Sequence, residues 1–178
     1  MKFSIILPTW NNLGYLKLCL DSIKKNSKYD HDINVHVNDG SDGTVEYLSS
    51  NGIKFNHSVE NMGLCKGANS AATLAETDYI IYTHDDMYFL PDWDFFLSEE
   101  IEKLKTNLYY ISGTMMGPKG CGFLEFNCGT TFNDFDEAKL LKNFHNFNYF
   151  DHQGTHWAPH LIHKTLWNKV GGFSKEFD

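Results

Sequence analysis

Four short apolar runs, each followed by a longer stretch with helical spacing, constrain this chain more than any other feature. The runs are Lys2 to Leu7, Ile33 to Asn38, Ile53 to Asn56 and Tyr79 to Thr83. Each is too short for a helix of its own and is apolar, β-branched or aromatic enough to sit in a sheet. After the first, which Pro8 is expected to end, Leu13, Leu16, Leu20 and Ile23 fall on one helical face, with Asn11 and Asn12 placed to cap it. After the second, Thr44 to Ser50 reads as a short helix capped by Ser41 or Asp42. The third leads to Ala68 to Glu76, whose alanines at 68, 71, 72 and 75 let a helix lie close against a sheet. The fourth leads through Pro91 and a capping Asp92 to Trp93, Phe96, Leu97, Ile101, Leu104 and Leu108, an amphipathic helix. Strands and helices alternating in this way require an α/β fold: a mostly parallel sheet, right-handed crossovers and helices on both faces.

Beyond Tyr109 the alternation lapses. Tyr109 to Met116 reads as a strand, Gly122 to Thr131 as an irregular strand pair and Phe135 to Phe144 as a helix. Thr155 to His163 is extended around Pro159, and Lys164 to Val170 is a last short helix. At 178 residues the chain makes a single domain, with a regular half over 1–108 and an irregular α+β half over 109–178.

The fourth strand is where chemistry is expected. It runs into His84-Asp85-Asp86, and two adjacent carboxylates at the C-terminal end of a parallel strand lie where an open α/β sheet binds ligands. Their repulsion is relieved by a cation, and a hard divalent metal carrying phosphates suits them. The net charge of -8 excludes a nucleic-acid or anionic-membrane partner, which needs a basic face. All fifteen basic side chains are lysine. Without a guanidinium fork, a bound diphosphate relies on lysine, backbone amides and metal. Cys19, Cys65, Cys121 and Cys128 lack Cys-x-x-Cys spacing and read as reduced thiols. With no apolar run of about eighteen residues and no cleavage site at the start, the expected location is the cytoplasm, with peripheral membrane contact left open.

The ordered set Pro8-Thr9-Trp10-Asn11, Val37-Asn38-Asp39-Gly40-Ser41-Asp42, Asn61-x-Gly63 and His84-Asp85-Asp86 resembles the GT-A glycosyltransferases of family 2, and Val170-Gly171-Gly172-Phe173 matches the family's double-glycine turn. The resemblance implies a GT-A, Rossmann-like fold and transfer of a sugar, with inversion, from a nucleotide-diphosphate sugar to a glycan or lipid-linked acceptor. That chemistry belongs to polysaccharide or glycoconjugate biosynthesis, with residues 1–108 as the nucleotide-sugar half and 109–178 as the acceptor side. It implies that Pro8, Thr9, Trp10 and Asn11 line the base and ribose, and that Asp39 accepts from the base. Asn61 and Gly63 would help bind the nucleotide-sugar, and Lys66, a lysine where the family often has arginine, would face the diphosphate. Asp86 would hold Mn²⁺ or Mg²⁺, Asp85 would meet the ribose or assist the metal, and His84 replaces the family's first acid. The simpler readings are a turn-forming Asp39, a solvated Lys66 and a helix-capping Asp85-Asp86 pair.

The family's catalytic base follows the double-glycine turn, and here Asp178 is the nearest acid, with Asp151 a second choice. The alternative is a nucleotide-sugar-binding module, or a fragment, without a base. His152, His156, His160 and His163 invite a zinc reading, but Pro159 breaks any helix that would align them. His156 and Trp157 fit better as acceptor-pocket residues, Trp157 offering a face on which a sugar can stack.

Overall fold

The computed structural model describes residues 1–119, 124–147 and 158–177. The chain forms two compact units, one of Met1–Ile111 with Pro159–Asp178 and one of Ser112–Ala158. In the first, β1 (Ser4–Trp10), α1 (Leu13–Asn26), β2 (Asp32–Asn38), α2 (Thr44–Ser50), β3 (Lys54–Ser58), α3 (Leu64–Ala72), β4 (Tyr79–Tyr82) and α4 (Trp93–Lys103) alternate as the spacing predicts. β5 (Tyr110–Ser112) is shorter than expected. The second unit holds β6 (Met116–Gly117), β7 (Leu124–Glu125) and α5 (Glu137–Asn143). The chain then returns to the first unit with β8 (His160–His163) and α6 (Lys164–Val170).

The main sheet has the order β3-β2-β1-β4-β8-β5. β1, β2, β3 and β4 pair in parallel, and β8 lies antiparallel to β4. The first crossovers run outward from β1 to β3, and the next carries the chain back across to β4. The order therefore reverses between β1 and β4, and it is beside the C-terminal ends of the strands at such a point that open α/β sheets bind ligands.

Pro8 does not end the first strand. The Ile6 carbonyl accepts from Thr83 N–H, so even-numbered residues of β1 turn their backbone groups toward β4. Pairing with β4 stops at Ile6 and Tyr82, whereas pairing with β2 continues to Trp10 and Asn38. The missing N–H of Pro8 thus faces a side from which β4 has already departed.

Both faces of the sheet are covered. Phe3, Ile5 and Leu7 of β1, with Val35, Val37 and Ile81, pack against Leu16, Leu20 and Ile23 of α1, Leu48 of α2 and Ile101 of α4. Ile6, Ile80, Tyr82 and Ile162 pack on the other face against Ala68, Ala71, Ala72 and Ala75 and against Trp167 of α6. The intervening Asn34, His36 and Asn38 of β2 are buried as well. Gly67 of α3 lies so near that an added Cβ would come 3.0 Å from His36 and 3.1 Å from Pro8.

Several helix starts differ from expectation. α3 begins at Leu64, four residues early, behind Gly63 at φ 88°. Asn12 occupies the position before α1 without capping it, and Leu13 N–H is satisfied by Asp42 at 2.8 Å instead. Asp42 also accepts Thr44 N–H and hydroxyl, bracing α2 as expected. Asp92 stands before α4 in a left-handed conformation and does not cap it, its carboxylate lying 3.5 Å from the Lys28 ammonium. Leu108 lies beyond the end of α4 and is exposed.

The double-glycine turn is pinned by one side chain. The Asn69 amide donates to the Phe173 carbonyl and accepts from Phe173 N–H, both at 2.9 Å, as a neighbouring strand would. The Phe173 ring meets Tyr82 edge-on at 4.8 Å and Trp167 at 5.4 Å. Gly172, at φ +75°, has no room for a Cβ because Asn69 Oδ1 occupies the place. Gly172→Ala is therefore expected to lower unfolding stability by about 2 kcal/mol through clash and left-handed strain. Urea denaturation reads this directly, and an unchanged midpoint would show that the turn relaxes freely.

Candidate functional site

Three loops meet at the reversal point. Thr9, the last residue but one of β1, is buried, and its hydroxyl donates to Asp85 Oδ2 at 2.6 Å. Asn12 donates to Asp85 Oδ1 at 3.0 Å. Both oxygens of this half-buried carboxylate are thereby fixed from β1 and its loop. Burial pushes the Asp85 carboxyl above the usual range, the bonds from Thr9 and Asn12 pull against that, and the charge of Asp86 adds to the rise.

Asp39 follows β2 in a left-handed conformation, φ 63°. Its N–H donates to the Ser58 carbonyl at 2.8 Å, and its carbonyl accepts from His57 Nε2 at 2.7 Å. The carboxylate takes Asn11 Nδ2 at 2.9 Å and Ser41 N–H at 3.2 Å. The bonds from Asn11 and Ser41 hold it below the usual carboxylate range. Asp42, which serves both helix starts, leaves Asp39 without a capping task.

The remaining expected residues distribute as follows. Trp10 is 58% exposed beside Asn11, whereas Pro8 is buried under α3 and lines no open surface. Asn61 accepts Gly63 N–H at 2.9 Å, and the next residue, Met62, donates to Asn38 at 2.9 Å, tying this loop to β2. Lys66 is half-buried in the first turn of α3. That helix starts at the crevice end of the sheet, where its amide dipoles favour an anion.

His84 is half-buried, edge-on to Tyr82 at 5.4 Å, and its carbonyl accepts from the Cys19 thiol, which burial keeps protonated. Asp86 is exposed, and among the described residues no hydrogen bond or ion pair engages its carboxylate. Also among the described residues, no three histidine, cysteine or acidic side chains cluster as a self-sufficient metal cage. The donor set still fits Mn²⁺ or Mg²⁺, which one or two carboxylates commonly hold together with substrate phosphates.

His160 and His163 are separated by the sheet. His160 is stacked on Tyr82 at 6.0 Å and on Tyr110 at 4.9 Å, while His163 meets Tyr79 and accepts Thr165 N–H. Residues three apart on a strand face opposite sides, so these two share no metal. Asp151, His152, His156, Trp157 and Asp178 lie outside the described residues. Among the described cysteines, Cys19, Cys65 and Cys128 form no disulfide, and Cys121 lies outside the described residues.

A family model described as glycosyl transferase family 2 matches residues 4–160. The chain belongs to glycosyl transferase family 2. Solved structures agree with the family's fold. S. aureus TarS 1-349 superposes with a TM-score of 0.70 at 19% identity, over 99% of this chain and 51% of that one. The same protein in complex with UDP gives 0.67 at 19% identity over 99% and 51%. Pyrobaculum calidifontis mannosyltransferase PcManGT, in complex with GDP-Man and Mn²⁺, gives 0.64 at 18% identity over 98% and 48%. No curated protein sequence matches the chain. This family 2 chain spans about half the length of the solved structures it resembles. No helix among its described residues is long and apolar enough to cross a membrane.

The sequence reading overlooked Asn12 and Asn69. Both look like routine helix residues, and each acts through a partner more than 70 positions away.

Proposed function

We propose that this chain carries the donor-binding part of an inverting, metal-assisted glycosyltransferase that moves a sugar from a nucleotide-diphosphate sugar to an acceptor hydroxyl. The observation that carries this reading is that the loop after β1 fixes a carboxylate on each side, Thr9 and Asn12 holding Asp85 and Asn11 holding Asp39. A fold alone needs no carboxylates there. The relatives solved with UDP, UDP-GlcNAc or GDP-Man support the ligand class.

In this reading residues 1–108 bind the donor and 109–178 serve a glycan or lipid-linked acceptor in polysaccharide or glycoconjugate synthesis. Asp39 receives an N–H of the base, Trp10 and Thr9 border base and ribose, and Asp85 meets the ribose hydroxyls. Gly63, Asn61 and Lys66 approach the diphosphate beside the positive end of α3. Asp86 holds Mn²⁺ or Mg²⁺, with Asp85 and His84 adjacent. The ion, when bound, neutralises charge on the departing diphosphate. As the acceptor oxygen attacks the anomeric carbon and the bond to the diphosphate breaks, a carboxylate takes the hydroxyl proton. Asp178 and Asp151 are the acids proposed for that step, with His156 and Trp157 at the acceptor.

Calorimetry with UDP and GDP, each with and without Mn²⁺, tests donor binding, and a donor-hydrolysis assay then tests turnover. Metal-dependent micromolar binding is expected. Failure to bind either nucleotide overturns the reading, and binding without hydrolysis identifies a donor-binding module.

A further inference from the structure

Asn11 was expected to line the nucleotide, and its amide is engaged within the protein. Gly40 N–H donates to Asn11 Oδ1 at 3.0 Å, which fixes the amide's orientation and points Nδ2 at Asp39 Oδ2, 2.9 Å away, and at Ser41 Oγ, 3.2 Å away. An asparagine amide has two N–H groups, and both are committed within the protein. The backbone contributes to this aim. Asn11 sits at φ 46°, a left-handed conformation that asparagine tolerates better than most residues, and Asp39 at φ 63° does the same across the gap.

The Asp39 carboxylate is half-exposed, and Asn11 and Ser41 occupy one site on each oxygen. A carboxylate has about four lone-pair sites, so roughly two remain outward for an incoming N–H. Gly40 holds the other side of the turn. An added Cβ would lie 2.8 Å from Val45 and 2.9 Å from Val37, so the loop cannot shift toward the core to re-aim the carboxylate.

We propose that Asn11 is a positioning residue for base selection: it orients the Asp39 carboxylate toward a nucleobase ring N–H and makes no donor bond to the nucleotide itself. The inference rests on the donor-site reading above. Its consequence is specific. Losing the Asn11 amide should reduce discrimination between bases with and without that N–H, while the contribution of diphosphate and metal stays intact.

The experiment is calorimetry with UDP and with N3-methyl-UDP in Mn²⁺, on the wild type and two variants. Asn11→Gly keeps the left-handed backbone and removes only the amide. Asn11→Asp keeps the size and replaces the donor with a second carboxylate. The wild type is expected to prefer UDP over N3-methyl-UDP by about tenfold or more, the scale of a hydrogen bond to a charged acceptor. Asn11→Gly should bring the two ligands within about twofold of each other by weakening UDP alone. In Asn11→Asp, two carboxylates in contact share a proton as pH falls, and the protonated one regains a donor. Its UDP affinity relative to wild type should therefore rise as pH falls from about 6.5 to about 4.5.

A wild type that does not distinguish the two ligands overturns the donor-site role of Asp39 and this inference with it. A wild type that distinguishes them while Asn11→Gly does so equally overturns the inference alone. Should Asn11→Gly fail to fold, the pH series of Asn11→Asp decides, and a flat ratio overturns the proposal.

Discussion

Asp86→Ala is expected to weaken Mn²⁺-supported UDP binding about a hundredfold, close to 2.7 kcal/mol, and to leave the residual affinity indifferent to the metal. The size follows from how little else neutralises the ligand, Lys66 and the start of α3 being the other groups proposed to face it. The chain has no arginine, so no bidentate fork grips the phosphates. Among the described residues there is no ready-made cage to keep an ion once Asp86 is gone. Asp86 is also exposed and outside the hydrogen-bond network, so its loss should leave the unfolding midpoint unchanged. Asp85→Asn should behave differently. Thr9 and Asn12 are built to donate to a carboxylate, and an amide nitrogen placed there would face donors, costing stability as well as affinity. Titrations with and without Mn²⁺, paired with thermal melts, separate the two cases. An Asp86→Ala protein with wild-type metal dependence would remove the ion from this site.

The largest effect on stability is expected at the opposite end of the sheet. Asp94, in the first turn of α4, is wholly buried and accepts the N–H groups of Lys28 and Tyr29, its neighbour Phe95, and His31 Nε2 at 3.0 Å. Asp94→Ala strands these donors away from water and should cost roughly 3–5 kcal/mol, a large part of the stability of an ordinary domain. The same pair makes the fold acid-sensitive. His31 Nδ1 accepts from Phe3 N–H at 3.2 Å, so the ring is neutral with its proton on Nε2. Burial lowers its affinity for a second proton below the ordinary value of 6.5, outweighing the attraction of Asp94. The unfolded chain, with the ordinary value, binds that proton first. The stabilisation is therefore whole above pH 6.5 and declines as pH falls below it. Urea midpoints measured for the wild type and His31→Gln between about pH 7.5 and about pH 5.5 check the sign. A wild-type midpoint that rose relative to the variant on acidification would contradict it.

The parallel core was readable because periodicity is local. Leu16, Leu20 and Ile23 declare a helix whatever surrounds them, and Val35 and Val37 declare a strand. Asp39 and Asp85 stood out as candidates for a related reason, since an acid at a strand's C-terminal end has few structural duties there. What escaped depended on distant partners. Whether Pro8 ends β1 depends on which neighbour its missing N–H would face, and that neighbour lies over 70 residues on. Asn11 and Asn12 have the chemistry of helix caps, but Asp39 and Asp85 compete for their amides and win. The antiparallel course of β8 leaves no trace in a four-residue run.

Three non-glycine residues among those described adopt left-handed backbones, and two of them, Asn11 and Asp39, are joined by a hydrogen bond. Such geometry costs an ordinary side chain about 1 kcal/mol or more, less for asparagine and aspartate, and glycine would relieve it. The hydrogen bonds of Asn11 to Gly40, Asp39 and Ser41 offset that relief, so selection for heat tolerance alone has little to gain from glycine at this corner.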